Sequence, residues 1–285
     1  MIAETRTQSF ARDGLRFRVA EWGPRDGPVV VLLHGFPETS SSFEAVGRGL
    51  AEAGCRVLAP DQRGYSPQAR PTDRRAYRRA ELVADVIAIA EQAGAGRFHL
   101  AGHDWGAAVA WAVAMEYPDR VRTLTSLSIP HPAAFRRAAL SSGQGLRSWY
   151  MAFLQIPGLP EALIRTRNWR SFRRSLLRTG LPAVFADRYI EHLQEPGALQ
   201  GAIAWYRGMR PFADSRPVRV TVPTLLIWGD RDAYVHPKGV HGTAQLVSGP
   251  YRLEVLRGVS HWIPEEVPHR VVELMRAHLS SAHAG

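Results

Sequence analysis

The chain has 285 residues, 45% of them hydrophobic, which is enough for one large globular domain or for one domain that carries an insertion. Its formal net charge is +10, but the basic residues are scattered arginines with the single lysine Lys238, and no nucleic-acid motif accompanies them. Because nucleic-acid binding proteins cluster their basic residues, we expect no nucleic-acid partner, and the arginine content fits a GC-rich bacterial genome.

The first half of the chain alternates short apolar runs with helical patterns. Runs of this kind are typical of buried parallel strands, and they lie at 28–35, 56–61 and 98–104. The segment 80–94 has apolar residues at helical spacing and ends at Gly94, a suitable helix C-cap. After Asp104 the sequence GAAVAWAVAMEY predicts a buried helix, and VRTLTSLSI predicts the next strand.

From 131 to 221 the strand signals vanish, and Arg, Trp and Leu recur at helical spacings between Pro and Gly. Strand patterns return at 224–230 and 251–259, and a helical pattern follows over 264–280. We therefore predict an α/β fold with a doubly wound, mostly parallel sheet and an inserted helical cap over the carboxyl ends of its strands, where such sheets bind ligands. The core would comprise residues 1–130 and 222–285, and the cap residues 131–221.

The predicted cap is rich in arginine, so a basic face there would favour anionic ligands or a membrane surface. The first residues, MIAETRTQSFARDG, lack the apolar core of a signal peptide, and no apolar run approaches the roughly 20 residues that span a bilayer. We expect a cytoplasmic protein, monomeric or homodimeric, with no obligatory membrane contact. The lone cysteine, Cys55, excludes an internal disulfide, and we expect no metal and no cofactor.

Three loops after predicted strands carry candidate catalytic residues. Asp104 lies in the pattern G-x-D-x-G, which matches the sharp strand-to-helix turn that presents a nucleophile. Asp230 and Asp232 follow a later strand, and His261 follows the last one. Nucleophile, acid and histidine in this order are the arrangement of α/β-hydrolases.

The motif HGFP at 34–37 follows an early strand, where this fold supplies one backbone N–H of an oxyanion hole. The second N–H comes from the residue after the nucleophile. We therefore expect the amides of Phe36 and Trp105 to form the oxyanion hole.

Together these residues resemble the α/β-hydrolase fold epoxide hydrolases, with haloalkane and haloacetate dehalogenases as near neighbours. The resemblance covers nearly the whole chain, from HGFPETSSSF through DQRGYS and GHDWGA to GDRDAYV and SHW. It implies Asp104 as nucleophile, His261 as base and Asp232 as the acid that supports it. It also implies that Tyr150 and Tyr206, which match the paired cap tyrosines of the family, donate to the epoxide oxygen. The motif DQRGYS lacks one glycine of the commoner ending GYGxS.

A carboxylate in place of a serine indicates the type of substrate. An ionised carboxylate needs no deprotonation, and it can displace a leaving group at a saturated carbon to leave an alkyl ester on the enzyme. His261 and Asp232 would then activate a water that hydrolyses the ester on Asp104. We expect a small apolar epoxide and water as the partners, with a vicinal diol as the product.

Two other functions stay open. A haloalkane dehalogenase would use the same nucleophile and bind halide through Trp105, but Phe36 occupies the usual position of its asparagine donor. A haloacetate dehalogenase would carry Arg in place of Trp105. A non-catalytic ligand-binding protein on the same fold is the other alternative.

Aromatic and apolar side chains around these motifs are candidates to bind substrate. Besides Phe36, Trp105 and the two tyrosines, we expect His34 and Trp262 to contact it. Several residues of the cap and its surroundings would either line an apolar pocket or pack the helices: Trp149, Met151, Phe153, Trp169 and Phe172.

Overall fold

The structure, a computed structural model, describes residues 5–209 and 218–281. Its strands are β1 (Arg6–Arg12), β2 (Leu15–Trp22), β3 (Val29–Leu33), β4 (Arg56–Pro60), β5 (Phe98–His103), β6 (Val121–Leu127), β7 (Thr224–Gly229) and β8 (Tyr251–Leu256). They form one eight-stranded sheet in the order β1-β2-β4-β3-β5-β6-β7-β8. The pairs from β4 to β8 are parallel, as the sequence predicted.

The sequence analysis did not identify the first two strands. They form an antiparallel hairpin, and β2 also pairs antiparallel with β4. Asp13 and Gly14 make the turn with φ values of +50° and +77°. Asp-Gly is a favoured pair for such turns, because both residues tolerate positive φ better than most others.

Helices cover both faces of the sheet and connect its strands. They are α1 (Glu44–Glu52), α2 (Arg79–Gln92), α3 (Trp105–Glu116), α4 (Pro132–Ser141), α5 (Gln144–Arg147), α6 (Trp149–Phe153), α7 (Leu159–Arg165), α8 (Arg170–Arg178), α9 (Ala183–Gln194), α10 (Ala198–Gly208), α11 (Pro237–Gly242), α12 (Ile263–Glu266) and α13 (Pro268–Ser281). Short 3₁₀ turns lie at Ser40–Phe43, Arg74–Tyr77 and Thr243–Leu246. Among these described helices, none is long and apolar enough to cross a membrane.

The continuous apolar runs of the central strands reflect burial on both faces. In β3, Val31 and Leu33 pack into one hydrophobic cluster with residues of α2 and α3, whereas Val30 and Leu32 pack into another with residues of α1 and α13. Side chains of a strand alternate between its two faces, so both sets are apolar when both faces are covered.

Helices α4 to α10 lie in the chain between β6 and β7, and we refer to residues 132–209 as the inserted segment. It packs on loops that follow the strands. The Trp205 indole donates a 2.6 Å hydrogen bond to the carbonyl of Arg63, and a Cβ on Gly201 would lie 2.4 Å from the Gly64 carbonyl oxygen. The predicted fold class is thus confirmed, while residues 210–217 of the predicted cap lie outside the described residues.

Candidate active site

Asp104 lies at the sharp turn between β5 and α3. Its φ of +49° falls in the left-handed region, which residues other than glycine rarely occupy. The flanking glycines permit this turn, because a Cβ on Gly102 would lie 2.4 Å from the Gly106 carbonyl oxygen and one on Gly106 would lie 2.1 Å from that of Leu33. The glycines of the pattern G-x-D-x-G therefore allow β5, α3 and the end of β3 to approach closely, and this packing holds Asp104 at the carboxyl end of a central strand.

His261 lies between two carboxylates. Its Nδ1 is 2.8 Å from Oδ2 of Asp232, and its Nε2 is 3.6 Å from Oδ2 of Asp104. Asp230, the other acid after β7, instead accepts a 2.7 Å hydrogen bond from the backbone N–H of Gly258. The structure therefore brings Asp104, His261 and Asp232 together, with His261 between the two carboxylates.

The loop that carries Asp232 is held on two sides. Oδ1 of Asp232 accepts backbone N–H bonds from Tyr234 at 2.8 Å and from Val235 at 3.0 Å. From the inserted segment, the Arg147 guanidinium donates to the carbonyl of Asp232 at 2.6 Å, and the Gln144 side chain donates to that of Tyr234 at 2.8 Å. The acid is thus fixed by its own loop and by α5.

The charges at this site favour an ionised nucleophile. Burial alone lowers the pKa of His261, but the carboxylates of Asp232 and Asp104 outweigh it and hold the pKa well above its ordinary value. Burial raises the pKa of Asp104, but the nearby His261 outweighs it and the pKa is lowered. These directions favour an ionised Asp104 beside a protonated His261, which would have to lose a proton before it could act as a base.

One of the two predicted oxyanion donors already contacts Asp104. The backbone N–H of Phe36 donates a 2.9 Å hydrogen bond to Oδ1 of Asp104. Gly35 permits this approach, because a Cβ at its position would lie 2.3 Å from the Cβ of Asp104. The amide of Trp105 belongs to the first residue of α3, directly after Asp104, at the end of a helix where backbone N–H groups lack intrahelical partners.

The two candidate tyrosines come from different helices of the inserted segment and meet above the nucleophile turn. The ring centroids of Tyr150 in α6 and Tyr206 in α10 are 6.0 Å apart, and the Tyr206 ring lies 5.0 Å from Trp105 and 5.4 Å from Phe36. Burial, with a contribution from the charge of Asp104, raises the pKa of both phenols well above the ordinary value. Both are therefore protonated donors at neutral pH.

A cavity of about 830 Å³ lies against Asp104. Trp105, Tyr150, Met151 and Tyr234 line it close to the candidate triad. Its volume is in the range of pockets that enclose drug-sized ligands, roughly 300–1,000 Å³.

Several residues predicted to contact substrate do not line the cavity, including Phe36 and Tyr206, whose rings contact each other at 5.4 Å. His34 is fully buried, with Nδ1 2.9 Å from the Gly35 carbonyl oxygen and Nε2 3.1 Å from the amide nitrogen of Gln62, so it supports the oxyanion loop instead of lining the cavity. The buried Trp262 packs edge-on against His261, with ring centroids 5.4 Å apart, and does not line the cavity. Trp149 is 66% exposed and lines no part of the cavity.

A buried polar network behind His261 was missed by the sequence analysis. Nδ1 of His103 lies 2.6 Å from Oε1 of Glu38, and its Nε2 lies 2.8 Å from the carbonyl oxygen of His261. Next to them the Tyr189 hydroxyl donates to Oε1 of Glu265 at 2.7 Å, and burial together with the charge of Glu38 raises the pKa of Glu265 to about 8. Glu38 directly follows the motif HGFP and His103 lies within GHDWG, so their positions next to catalytic motifs were the available sequence signal.

No group of three or more His, Cys, Asp or Glu side chains with a metal-binding arrangement occurs within residues 5–209 and 218–281. The acidic and imidazole groups of the site contact one another and the backbone.

Comparison with known proteins places this arrangement in a family. A family model for the alpha/beta hydrolase fold matches residues 28–268. The AB hydrolase superfamily protein YfhM of Bacillus subtilis is 35% identical, over 94% of this chain and 96% of that protein. Epoxide hydrolase A of Mycobacterium tuberculosis is 33% identical, over 91% of this chain and 92% of its own. The crystal structure of epoxide hydrolase A from Mycobacterium thermoresistibile superposes with a TM-score of 0.81 at 28% identity, covering 97% and 98% of the two chains.

Proposed function

The chain belongs to the alpha/beta hydrolase fold family, and we propose that it is an epoxide hydrolase, which opens an epoxide to a vicinal diol. The observation that carries the proposal is the carboxylate of Asp104 at the nucleophile turn, where it lines a cavity together with Tyr150, whose ring lies 6.0 Å from that of Tyr206. Relatives that are named epoxide hydrolases support it.

In the first step a carboxylate oxygen of Asp104 attacks an epoxide carbon. Oδ1 accepts the hydrogen bond from Phe36, so Oδ2 is the free nucleophile. The ring C–O bond breaks as the new ester C–O bond forms, and the epoxide oxygen takes a proton from Tyr150 or Tyr206. A phenol is needed here because the leaving alkoxide is strongly basic.

The ester changes the charge beside His261. Once alkylated, Asp104 no longer carries the negative charge that helps to raise the pKa of His261, so the pKa falls. The imidazolium then gives up its proton, which restores the phenol. His261 becomes a neutral base, held in place by Asp232.

In the second step His261 takes a proton from water as the water oxygen attacks the ester carbonyl. The charge develops on Oδ1, beside the amides of Phe36 and Trp105. Collapse of the tetrahedral intermediate expels the alkoxide, which takes the hydroxyl proton of that intermediate and leaves as the diol. Asp104 is again ionised and His261 is again an imidazolium, so the cycle closes.

We further propose that the inserted segment acts as a cap, since it supplies both tyrosines and lies against the loops of the candidate triad. The cytoplasmic location and the monomeric or homodimeric state expected from the sequence stay predictions.

Racemic styrene oxide provides the direct test. The wild-type protein should convert it to phenylethanediol, and Asp104→Asn should not. Bromide release from a bromoalkane without epoxide turnover would favour a dehalogenase. Binding of styrene oxide without conversion of either compound would favour the non-catalytic alternative.

A further inference from the structure

Five arginines line the cavity: Arg207, which is paired with Glu161, and four that lie close together in the chain. The 3₁₀ turn before α2 contains Arg74 and Arg75. Arg78 directly follows this turn, and Arg79 is the first residue of α2. Arg79 forms an ion pair with Glu116, 3.1 Å between Nε and Oε1. The other three are exposed, and none has a carboxylate within ion-pair distance among the described residues. Within the part of the chain that the structure describes, this end of the cavity therefore has three arginines without an ion-pair partner.

The length of helix α3 gives the distance between the nucleophile and the arginine end of the cavity. Trp105, Ala108, Ala112 and Met115 all line the cavity, and their spacing places them along one face of the helix. From Asp104 to Met115, a rise of about 1.5 Å per residue gives roughly 16 Å. The next residue is Glu116, the partner of Arg79, so the cavity extends along α3 from the nucleophile to the arginines.

Apolar side chains form much of the remaining wall, together with the polar side chains of His131, Gln155 and Arg207. Besides the alanines and Met115 of α3, it includes side chains from the chain after β6 and from the inserted segment: Ile129, Pro132, Phe135, Met151 and Met209. An occupant of this cavity therefore meets the Asp104 carboxylate and the side chains of Tyr150 and Tyr234 at one end, largely apolar walls, and the three guanidinium groups at the other end.

The arginine turn is fixed in position. The carboxylate of Asp73 accepts the backbone N–H of Arg75 at 2.8 Å, and so caps the turn. Gly208 at the end of α10 packs closely on it, because a Cβ there would lie 2.6 Å from the carbonyl oxygen of Arg74. The backbone is held on both sides, while the guanidinium groups of Arg74, Arg75 and Arg78 have no ion-pair partner among the described residues.

We propose that Arg74, Arg75 and Arg78 bind the carboxylate of an amphipathic substrate whose epoxide lies at the opposite end, next to Asp104. This inference rests on the proposed function and assigns its substrate class: an epoxide joined to an anionic group by an apolar chain of roughly 10–15 Å, which is the rise along α3 less the reach of an arginine side chain. Guanidinium suits this task because it stays charged and donates paired hydrogen bonds to a carboxylate.

The test compares ω-epoxyundecanoate with its neutral methyl ester. The triple variant Arg74→Gln, Arg75→Gln, Arg78→Gln should lower kcat/KM for the carboxylate by roughly tenfold, since exposed ion pairs each contribute modestly. It should change kcat/KM for the methyl ester less than about twofold. The matched control Arg25→Gln, Arg97→Gln, Arg257→Gln removes the same charge at exposed positions outside the cavity and should change neither value.

Three results would overturn the proposal. Equal losses for carboxylate and ester would indicate a structural defect, and equal losses in both triple variants would indicate only the overall charge. Loss of binding to phosphatidylglycerol vesicles, with unchanged affinity for undecanoate, would assign the arginines to a membrane surface. Calorimetric affinity for undecanoate also tests the site without turnover, so it separates failure of the anion site from failure of the proposed epoxide chemistry.

Discussion

The backbone N–H of Phe36 donates a 2.9 Å hydrogen bond to Oδ1 of Asp104, which makes the two oxygens of this carboxylate chemically different before any substrate binds. Oδ2 lies 3.6 Å from Nε2 of His261 and is the oxygen available to attack. In an ester formed through Oδ2, Oδ1 would be the carbonyl oxygen, already beside the amide that stabilises its later negative charge. One contact thus prepares both proposed steps.

The variant His261→Gln should trap the ester. Asp104 can attack without a base, whereas water needs one, so alkylation should proceed and hydrolysis should stop. Intact-protein mass spectrometry after mixing with styrene oxide should show an adduct of the full substrate mass, and peptide mapping should place it on Asp104. Asp104→Ala should show no adduct. A substrate that the wild type converts without any adduct forming in His261→Gln would rule out the covalent route.

Replacement of Tyr206 by Phe should slow alkylation more than ester hydrolysis, because only ring opening needs the phenol proton. With Tyr150 intact we expect a loss of roughly 10- to 100-fold in the single-turnover alkylation rate. The double variant Tyr150→Phe, Tyr206→Phe should lose nearly all alkylation. Rapid-quench measurement of ester formation and decay separates the two steps, and an unchanged alkylation rate in Tyr206→Phe would remove Tyr206 from the mechanism.

The two steps should differ in their dependence on pH. The pKa of Asp104 is lowered, so the nucleophile stays ionised and alkylation continues as the pH falls. Hydrolysis needs neutral His261, and protonation of that base on the acid side stops it. Ester should therefore accumulate on the wild-type protein at acidic pH and disappear when the pH is raised. Quenched samples across the pH range would show this by mass, and parallel losses of both steps would contradict it.

Alanine at Gly106 should destabilise the fold. Its Cβ would lie 2.1 Å from the backbone carbonyl oxygen of Leu33, which cannot move without disturbing β3. We expect the free energy of unfolding to fall by about 3 kcal/mol. Gly96→Ala is the matched control, because a Cβ there meets no atom within 4 Å, and its effect should stay within about 0.5 kcal/mol. Denaturant unfolding measures both, and equal stabilities would contradict the proposed contact.

Residues that are close in sequence to a strand end were the predictable part of this molecule. The parallel strands and the inserted helices followed from apolar patterns, and the chain order of Asp104, Asp232 and His261 followed from the loops after three strands. The hairpin at Asp13–Gly14 carried a turn signal that was not used. For these features the local sequence contained the necessary information.

Contacts made across the fold were not predictable in the same way. Glu38 and His103 come from separate loops, and Glu265 meets Tyr189 of the inserted segment, so only the tertiary structure brings these polar groups together. The same holds for Trp262, because its contact with the His261 ring depends on how the loop after β8 packs. Sequence alone also left Arg74 and its neighbours as undistinguished surface arginines.

At position 104 the backbone conformation lowers the stability of the fold, while the proposed function requires an aspartate there. A residue with a Cβ in such a conformation costs on the order of 1–3 kcal/mol, and glycine would relieve most of it. Glycine also has no carboxylate, so the change that relaxes the turn removes the nucleophile. Screens that select variants of this protein for thermal resistance alone will therefore favour inactive chains at residue 104, and a stabilised enzyme has to be sought by selecting for turnover at the same time.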